Sequence, residues 1–443
     1  MEPNVIGMAC ESPSYRPEMR LRVVSRAVVC KVTYGTTRVL FIRRQSLVKP
    51  SSAMILDHLE LLQQAFGPGK FDVEDQTELS SQGANYLGVV TSVTLHGKNP
   101  SKTLRLIVKA AQGSQQAVRS SRAILPAFER ELELYQTVLP GLASFQAEFH
   151  LSSPFVAAAC FAGSLSPGKE ALVLDDLRPK GFQLCPTPDG LDFCHQAAVF
   201  REYARLHAVS LAFRDKAPEQ FLELTRKIER NFLEQRAAQR PELYEEQRRV
   251  VLAMGKTALD GQHEERRQQF EVEYRRFLEE EPEEELLAVC HGDCHPNNIL
   301  FQYAEGLESP KVALIDWQLS SLASPMRDLT FVLFACASKE ALDRRGELLL
   351  IYHASIRTSL QEFGCEADKL FSYETLQRHW NKYSPYGLYR AQVVLKLMLL
   401  TPEERAELEA SCSILEVLKK DFATSSKFAQ RVRALFAALS VKM

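Results

Sequence analysis

The sequence predicts an α+β fold, strand-rich toward its N-terminus and mainly helical beyond. Three observations carry that expectation. Short β-branched runs bounded by turn residues occupy the first part of the chain, among them Val89–Leu95, Leu104–Lys109 and Ala171–Leu174. From Phe193 onward, apolar residues recur at helical spacing almost to the end. One stretch interrupts the helices: Cys290-His291-Gly292-Asp293-Cys294-His295-Pro296-Asn297-Asn298, followed by Val312-Ala313-Leu314-Ile315-Asp316-Trp317.

In chain order, residues 1–50 form an N-terminal extension. Val23–Val32 and Thr37–Ile42 have strand composition, and the segment either packs on the main body or stands apart. A helix is expected over Met54–Phe66, where Ile55, Leu59, Leu62 and Phe66 share a face, and Gly67-Pro68-Gly69 ends it. A first strand then leads into Gly83-Ala84-Asn85-Tyr86-Leu87-Gly88. A second, Val89–Leu95, ends at His96-Gly97-Lys98-Asn99-Pro100, and a third ends on Lys109. The next helix spans about Pro126–Val138; Pro126 suits an early helical position and Pro140 closes the segment. Phe128, Glu131 and Tyr135 share one of its faces. A carboxylate among inward aromatics requires a cation, and Lys109 is the natural one. The plainer alternative is a solvated Glu131, since Glu129 and Glu133 flank it.

Ala171–Leu174 runs into Asp175-Asp176-Leu177, whose acids cap or are solvated. Phe193–Phe213 is a helix on which His207 reads as a core residue rather than a ligand. Phe221, Leu224, Ile228 and Phe232 mark an amphipathic helix, and Tyr244–Leu278 a long charged one. Glu279–Glu285 forms a solvated turn. Leu348–Phe363, Leu388–Leu400 and Phe428–Leu439 are further helices, and no internal repeat is present.

Composition narrows the function. The 443 residues suffice for a large core, with two or three domains as a prior from length alone. A net charge of −2 gives no basic field for nucleic acid or anionic membrane. The 10 cysteines lie scattered, as free thiols in a reducing compartment do. No apolar run reaches transmembrane length, and Met1–Pro17 contains no secretory apolar segment. The expected location is the cytoplasm.

The central motif has the parts that phosphoryl transfer requires. One carboxylate orients the attacking hydroxyl; an amide oxygen and a second carboxylate hold magnesium on the nucleotide phosphates. Asp293 precedes Asn298 by the interval of a kinase catalytic loop, and Asp316 ends an apolar run further on. Two metal readings fail. The cysteines and histidines at 290–295 find no second ligand pair at a usual zinc spacing, and the spacing is CxxxCH rather than the CxxCH of haem attachment. Gly83 and Gly88 lack the middle glycine of a full phosphate loop. Their place one hairpin before the lysine strand suits a loop whose N–H groups cover phosphates; a tight hairpin is the alternative.

The ordered set resembles the ecdysteroid kinase-like, or CHK kinase-like, family within the choline kinase and aminoglycoside phosphotransferase group. The resemblance rests on Gln82-Gly83-x-Asn85-Tyr86, Leu106-Ile107-Val108-Lys109 and Phe128-x-x-Glu131-x-x-x-Tyr135. It continues through Leu172–Leu177 with Gly181-Phe182, Ala204-x-Leu206-His207-Ala208, His291-Gly292-Asp293 to Asn298, Asp316-Trp317 and Ser324-Pro325-x-x-Asp328-Leu329. It implies a two-lobed, protein-kinase-like fold, with a small antiparallel-sheet lobe over 51–177. A helical lobe over 178–443 would carry the catalytic loop, 290–317. It implies ATP and Mg2+ as cofactors and transfer of the γ-phosphate to a hydroxyl of a small molecule. Asp293 would orient the hydroxyl and accept its proton, and Asn298 and Asp316 would bind the metal. Lys109, positioned by Glu131, would contact phosphates, which Gly83, Asn85 and Gly88 would cover. Asp175 and Leu177 would lie at the hinge, where adenine meets backbone, and Asp328 would be structural.

The family name points to a largely apolar alcohol, with an ecdysteroid as the leading acceptor. Phe331, Phe334, Tyr352, Tyr383, Tyr386 and Tyr389 are the aromatics available for it, or else core. Two other classes remain. A protein kinase would carry His-Arg-Asp, a DFG glycine and an Ala-Pro-Glu segment after its activation loop, whereas here Asp316-Trp317-Gln318 runs directly into Leu319–Leu329, too short for such a loop. A catalytically silent nucleotide-binding protein would not need the intact motif. The sequence sets no oligomeric state.

Overall fold

β-Branched and aromatic residues dominate the early strands, and the alternation of faces along them decides what each side chain meets. The computed structural model describes residues 19–24, 27–34, 37–44, 53–79, 88–98, 100–111, 123–185, 190–230, 232–280, 286–303, 306, 309–405, 414–421 and 425–439. Chain contacts divide it into two units, Met1–Met54 and Ile55–Met443. Within the first, β1 (Met19–Val24), β2 (Ala27–Tyr34) and β3 (Thr37–Arg44) form an antiparallel sheet in sequence order. The expected single run Val23–Val32 is divided between β1 and β2, which pair from Met19↔Val32 to Val24↔Ala27.

The second unit holds a five-stranded antiparallel sheet of β4 (Phe71–Glu78), β5 (Gly88–Gly97), β6 (Thr103–Ala111), β7 (Cys160–Ser164) and β8 (Ala171–Asp175), in the order β4-β5-β6-β8-β7. One face packs on the helix Ala53–Phe66: Leu106 and Val108 of β6 and Ala171 and Val173 of β8 join Leu61 and Leu62 in one cluster. The alternate residues, Leu172 and Leu174, join Phe128, Leu134 and Tyr135 in the main core. By the same period of two, Lys109 leaves β6 on the side of the helix carrying Glu131.

That helix, Ile124–Glu133, passes into a π turn, Leu134–Val138, and then into Leu139–Gln146. Pro140 therefore does not close the segment. It falls in the first turn of Leu139–Gln146, where its missing N–H is not needed.

The remainder is mainly helical, as expected. Phe193–Lys216 packs along Arg345–Glu362, and Met326–Cys336 along Tyr373–Met398. The last pair cross closely at Gly387, where a Cβ would lie 2.5 Å from the Cβ and Oγ1 of Thr330. Two expected helices are broken. Tyr244–Leu278 is two helices, Pro241–Leu259 and Glu264–Glu279, because Asp260-Gly261 adopts left-handed backbone and ends the first. The Phe221–Phe232 run is Pro218–Thr225, a 3-10 turn at Arg226–Ile228, and Phe232–Gln239. Its apolar side survives the break, since Phe221 and Ile228 are both buried.

Five short strands frame the central motif. β10 (Ala288–Cys290) pairs with β13 (Ser321–Ala323), and β11 (Ile299–Gln302) pairs with β12 (Lys311–Leu314) and with β9 (Phe182–Leu184). Among the described residues, no helix is long and apolar enough to cross a membrane.

Candidate functional site

Three charged side chains from distant parts of the sequence meet first. Lys109 Nζ lies 2.6 Å from Glu131 Oε2 and 2.7 Å from Asp316 Oδ1. Lys109 and Glu131 are buried, so the ammonium exchanges water for two carboxylates. Burial opposes its charge, yet Asp316 and Glu131 outweigh that and hold Lys109 above the ordinary lysine range. Burial pushes the Glu131 carboxyl up, with Lys109 pulling it down and Asp316 adding to the rise. A solvated Glu131 is excluded. Asp316 adopts left-handed backbone, φ 69°, which aspartate tolerates better than most residues.

The loop carrying Asp293 is built between β10 and β11. Gly292 takes φ 79°, and a Cβ there would lie 2.3 Å from the Leu319 carbonyl oxygen. Both facts require glycine between His291 and Asp293. The backbone N–H groups of His291 and Gly292 donate to Asp328 at 2.7 and 2.9 Å. Asp328 also meets the Cys294 thiol at 3.1 Å and His207 Nε2 at 3.3 Å. Fully buried, it is held below the ordinary aspartate range: burial opposes ionisation, but His207, His291 and the Gly292 N–H outweigh it. His291 Nε2 donates to the Ile315 carbonyl at 2.9 Å and its Nδ1 accepts from the Asp293 N–H at 3.3 Å, the pattern of a neutral imidazole. Burial lowers its pKa accordingly, against nearby Asp328 and Asp293.

The β11–β12 pairing brings Asn298 opposite Ile315, the residue before Asp316. Ile299 faces Leu314, and the Ile315 N–H donates to the Asn298 carbonyl at 3.0 Å. The Asn298 Nδ2 is engaged within the loop, 3.1 Å from the Asp293 carbonyl and 3.2 Å from His295 Nε2, which leaves its amide oxygen for other partners. The Asn298 amide oxygen and the Asp316 carboxylate are hard oxygen donors, and Asp316 also belongs to the cluster with Lys109 and Glu131. That donor set fits magnesium on a nucleotide.

The remaining expected residues surround Lys109 along the sheet. Gly88 pairs with Ala111 and Asp175 with Leu106, on opposite neighbours of β6. A Cβ at Gly88 would lie 2.4 Å from the Ala110 carbonyl oxygen, so packing alone accounts for that glycine. Asp175 pairs with Lys180. Asp176 is buried and accepts from the Arg178 backbone N–H and Nε at 3.0 and 2.9 Å, a local cap rather than a solvated acid. The Leu177 carbonyl accepts from the Lys180 N–H at 3.0 Å. Gly83 and Asn85 lie outside the described residues.

His207, Cys290 and Asp328 offer ligand atoms within 4.8 Å of one another. Hydrogen bonds account for all three: His207 also meets the Tyr352 hydroxyl at 3.0 Å, and the Cys290 thiol donates to the Ala323 carbonyl at 3.4 Å. The described cysteines are free.

Two neighbours of Asp293 were not among the expected phosphotransfer residues. His295 Nε2 is 3.7 Å from Asp293 Oδ2, and an Arg390 guanidinium nitrogen is 3.9 Å from Asp293 Oδ1. Spacing gave one signal for the arginine, because Arg390 follows Tyr386 by one helical turn. The expected acceptor aromatics are mostly core: Tyr352 packs on Phe200, Tyr383 on Phe277 and Tyr389 on Tyr274.

Among solved structures, similarity extends to a protein assigned as an aminoglycoside phosphotransferase from Ralstonia eutropha JMP134, at 16% identity and TM-score 0.45, over 88% of this chain and 99% of that one. It extends to a spectinomycin phosphotransferase in complex with ADP and spectinomycin, at 12% identity and TM-score 0.37, over 80% and 94%. A microcompartment-associated aminopropanol kinase shares 12% identity at TM-score 0.33, over 80% and 100%. A comparison with curated proteins finds none that match. The sequence model of the ecdysteroid kinase-like family matches residues 82–365, well over half of the chain and the whole stretch from Gly83 through Asp328. The chain belongs to the ecdysteroid kinase-like family.

Proposed function

We propose that the protein transfers the γ-phosphate of ATP to a hydroxyl group of a small molecule. The observation that carries this reading is the meeting of Lys109 with both Glu131 and Asp316, next to the loop from Asp293 to Asn298. In this reading residues 51–177 cover the nucleotide and residues 178–443 supply the loop and the acceptor side. Lys109 contacts nucleotide phosphates, and Glu131 keeps its ammonium aimed at them. Asn298 and Asp316 hold magnesium, which neutralises charge on the phosphates when bound. Asp293 accepts a hydrogen bond from the acceptor hydroxyl and takes its proton as the oxygen attacks. Asp175 and Leu177 lie where the adenine edge meets backbone, and Gly83, Asn85 and Gly88 belong to the cover over the phosphates. Asp328 and His291 do no chemistry; they hold the loop in shape.

A hydroxysteroid such as an ecdysteroid is the leading acceptor, on the strength of the family. The test is ADP release with magnesium and ATP across a panel of hydroxysteroids, simple alcohols, choline, aminoglycosides and a generic protein substrate. Turnover confined to small alcohols supports the proposal. Phosphorylation of the protein substrate alone points to a protein kinase, and the absence of ATP binding ends the reading.

A further inference from the structure

A cation, Arg390, stands beside Asp293, 3.9 Å from its Oδ1. On the helix Tyr373–Met398, Lys382, Tyr386 and Arg390 recur at four-residue intervals and so form one stripe. Arg327, on the facing helix Met326–Cys336, lies over the Tyr386 ring at 4.5 Å. Glu234 pairs with Arg327, and Glu280 lies 3.5 Å from Lys382.

Arg390 differs from both. Its guanidinium sits over the Phe331 ring at 5.0 Å, and its side chain is only 18% exposed. Its ion pair is the 3.9 Å approach to Asp293, and its buried Nε, like that of Arg327, has no hydrogen-bond partner. A guanidinium largely withdrawn from water, with a donor unused, is built to receive an anion. Asp293 is the carboxylate against which an acceptor hydroxyl would lie, so such an anion lies within a few bonds of that hydroxyl.

We propose that the acceptor is a hydroxy acid, carrying a carboxylate, sulfate or phosphate close to the hydroxyl that reacts, and that Arg390 binds that acidic group. The inference rests on the phosphotransfer reading and sets aside the uncharged ecdysteroid as its acceptor, because that steroid offers Arg390 no acidic group. An amino alcohol would bring a cation to Arg390 and is disfavoured. Arg390 is a specificity-determining residue here, distinct from the groups that act on ATP.

The test uses inorganic sulfate as the probe. The full-length protein is saturated with magnesium and AMP-PNP, so that the γ position is filled, and sulfate is titrated at constant ionic strength by calorimetry. The expected result is saturable sulfate binding that Arg390→Met weakens at least tenfold and Arg390→Lys weakens less, with AMP-PNP affinity unchanged. In the acceptor screen, kcat/KM favours alcohols bearing an adjacent carboxylate over the same skeletons without it, and R390M removes that preference through KM. Three results overturn the proposal: sulfate binding that R390M leaves intact or that does not saturate, AMP-PNP binding that R390M impairs, or equal loss of kcat for every acceptor. Failure of AMP-PNP to bind the native protein would defeat the phosphotransfer reading instead. Sulfate titration of the nucleotide-free protein still reports on Arg390 in that case.

Discussion

Replacing Asp328 with asparagine changes one buried oxygen into an amino group and should break the loop that holds Asp293. Asp328 Oδ1 accepts from the Gly292 N–H and the Cys294 thiol, while Oδ2 accepts from the His291 N–H and lies against His207. An amide has one acceptor oxygen. In either orientation its amino group confronts one of the two backbone N–H groups. The lost bond to a charged acceptor is worth roughly 1.5–3 kcal/mol, and the stranded buried donor adds about 1–3 kcal/mol. The expected destabilisation is therefore about 2.5–6 kcal/mol, a large part of the roughly 5–15 kcal/mol that typical folds possess. Urea unfolding followed by fluorescence and circular dichroism measures it as a lower midpoint at unchanged slope. Any protein that remains folded should lose about a hundredfold or more in turnover, since displacement of a reacting group by about 1 Å has that effect. A loss below about 1 kcal/mol with native turnover would refute the reasoning, because it would mean that Asp328 does not anchor the loop.

Further outcomes follow from the same geometry. Gly292→Ala should be more damaging than a surface alanine, by about 2 kcal/mol or more, since its methyl meets the Leu319 carbonyl and φ is 79°; an unchanged unfolding midpoint contradicts this. His291 is lowered from its ordinary value of 6.5 by burial, so the unfolded chain binds the extra proton and stability falls as pH drops below about 6.5 toward the folded value. His291→Gln should flatten that part of the profile of unfolding midpoint against pH. Asp328, lowered from 3.8, contributes stability above that value that is lost as pH falls through the folded pKa. Chelation of divalent ions should abolish turnover, magnesium or manganese should restore it, and Asp316→Ala and Asn298→Ala should each raise the metal requirement; activity unaffected by chelator removes those two residues from the metal.

Local chemistry made much of this legible. The strand ending in Lys109 shows its apolar run, and alternation places Lys109 on the side of Phe128 and Glu131. The interval from Asp293 to Asn298 and the apolar run into Asp316 are visible because those residue types recur at set spacing. Tertiary contacts hid the rest. The need for glycine at 292 arises from the carbonyl of Leu319, far along the chain. The π turn after Glu131, which lets Pro140 continue the helical path, depends on packing rather than propensity. Arg390 meets Asp293 only because one C-terminal helix crosses another at Gly387. The stop at Asp260-Gly261 was present in the sequence, but the helical period on either side outweighed it.

The destination of the γ-phosphate decides whether this chain is a small-molecule kinase. With γ-labelled ATP and magnesium, the native protein should move label onto a small hydroxylated acceptor. Asp293→Asn should bind ATP with nearly native affinity, unfold at a nearly native urea concentration, and transfer no label above background. Full transfer by Asp293→Asn, or label that reaches only protein side chains, would contradict the account.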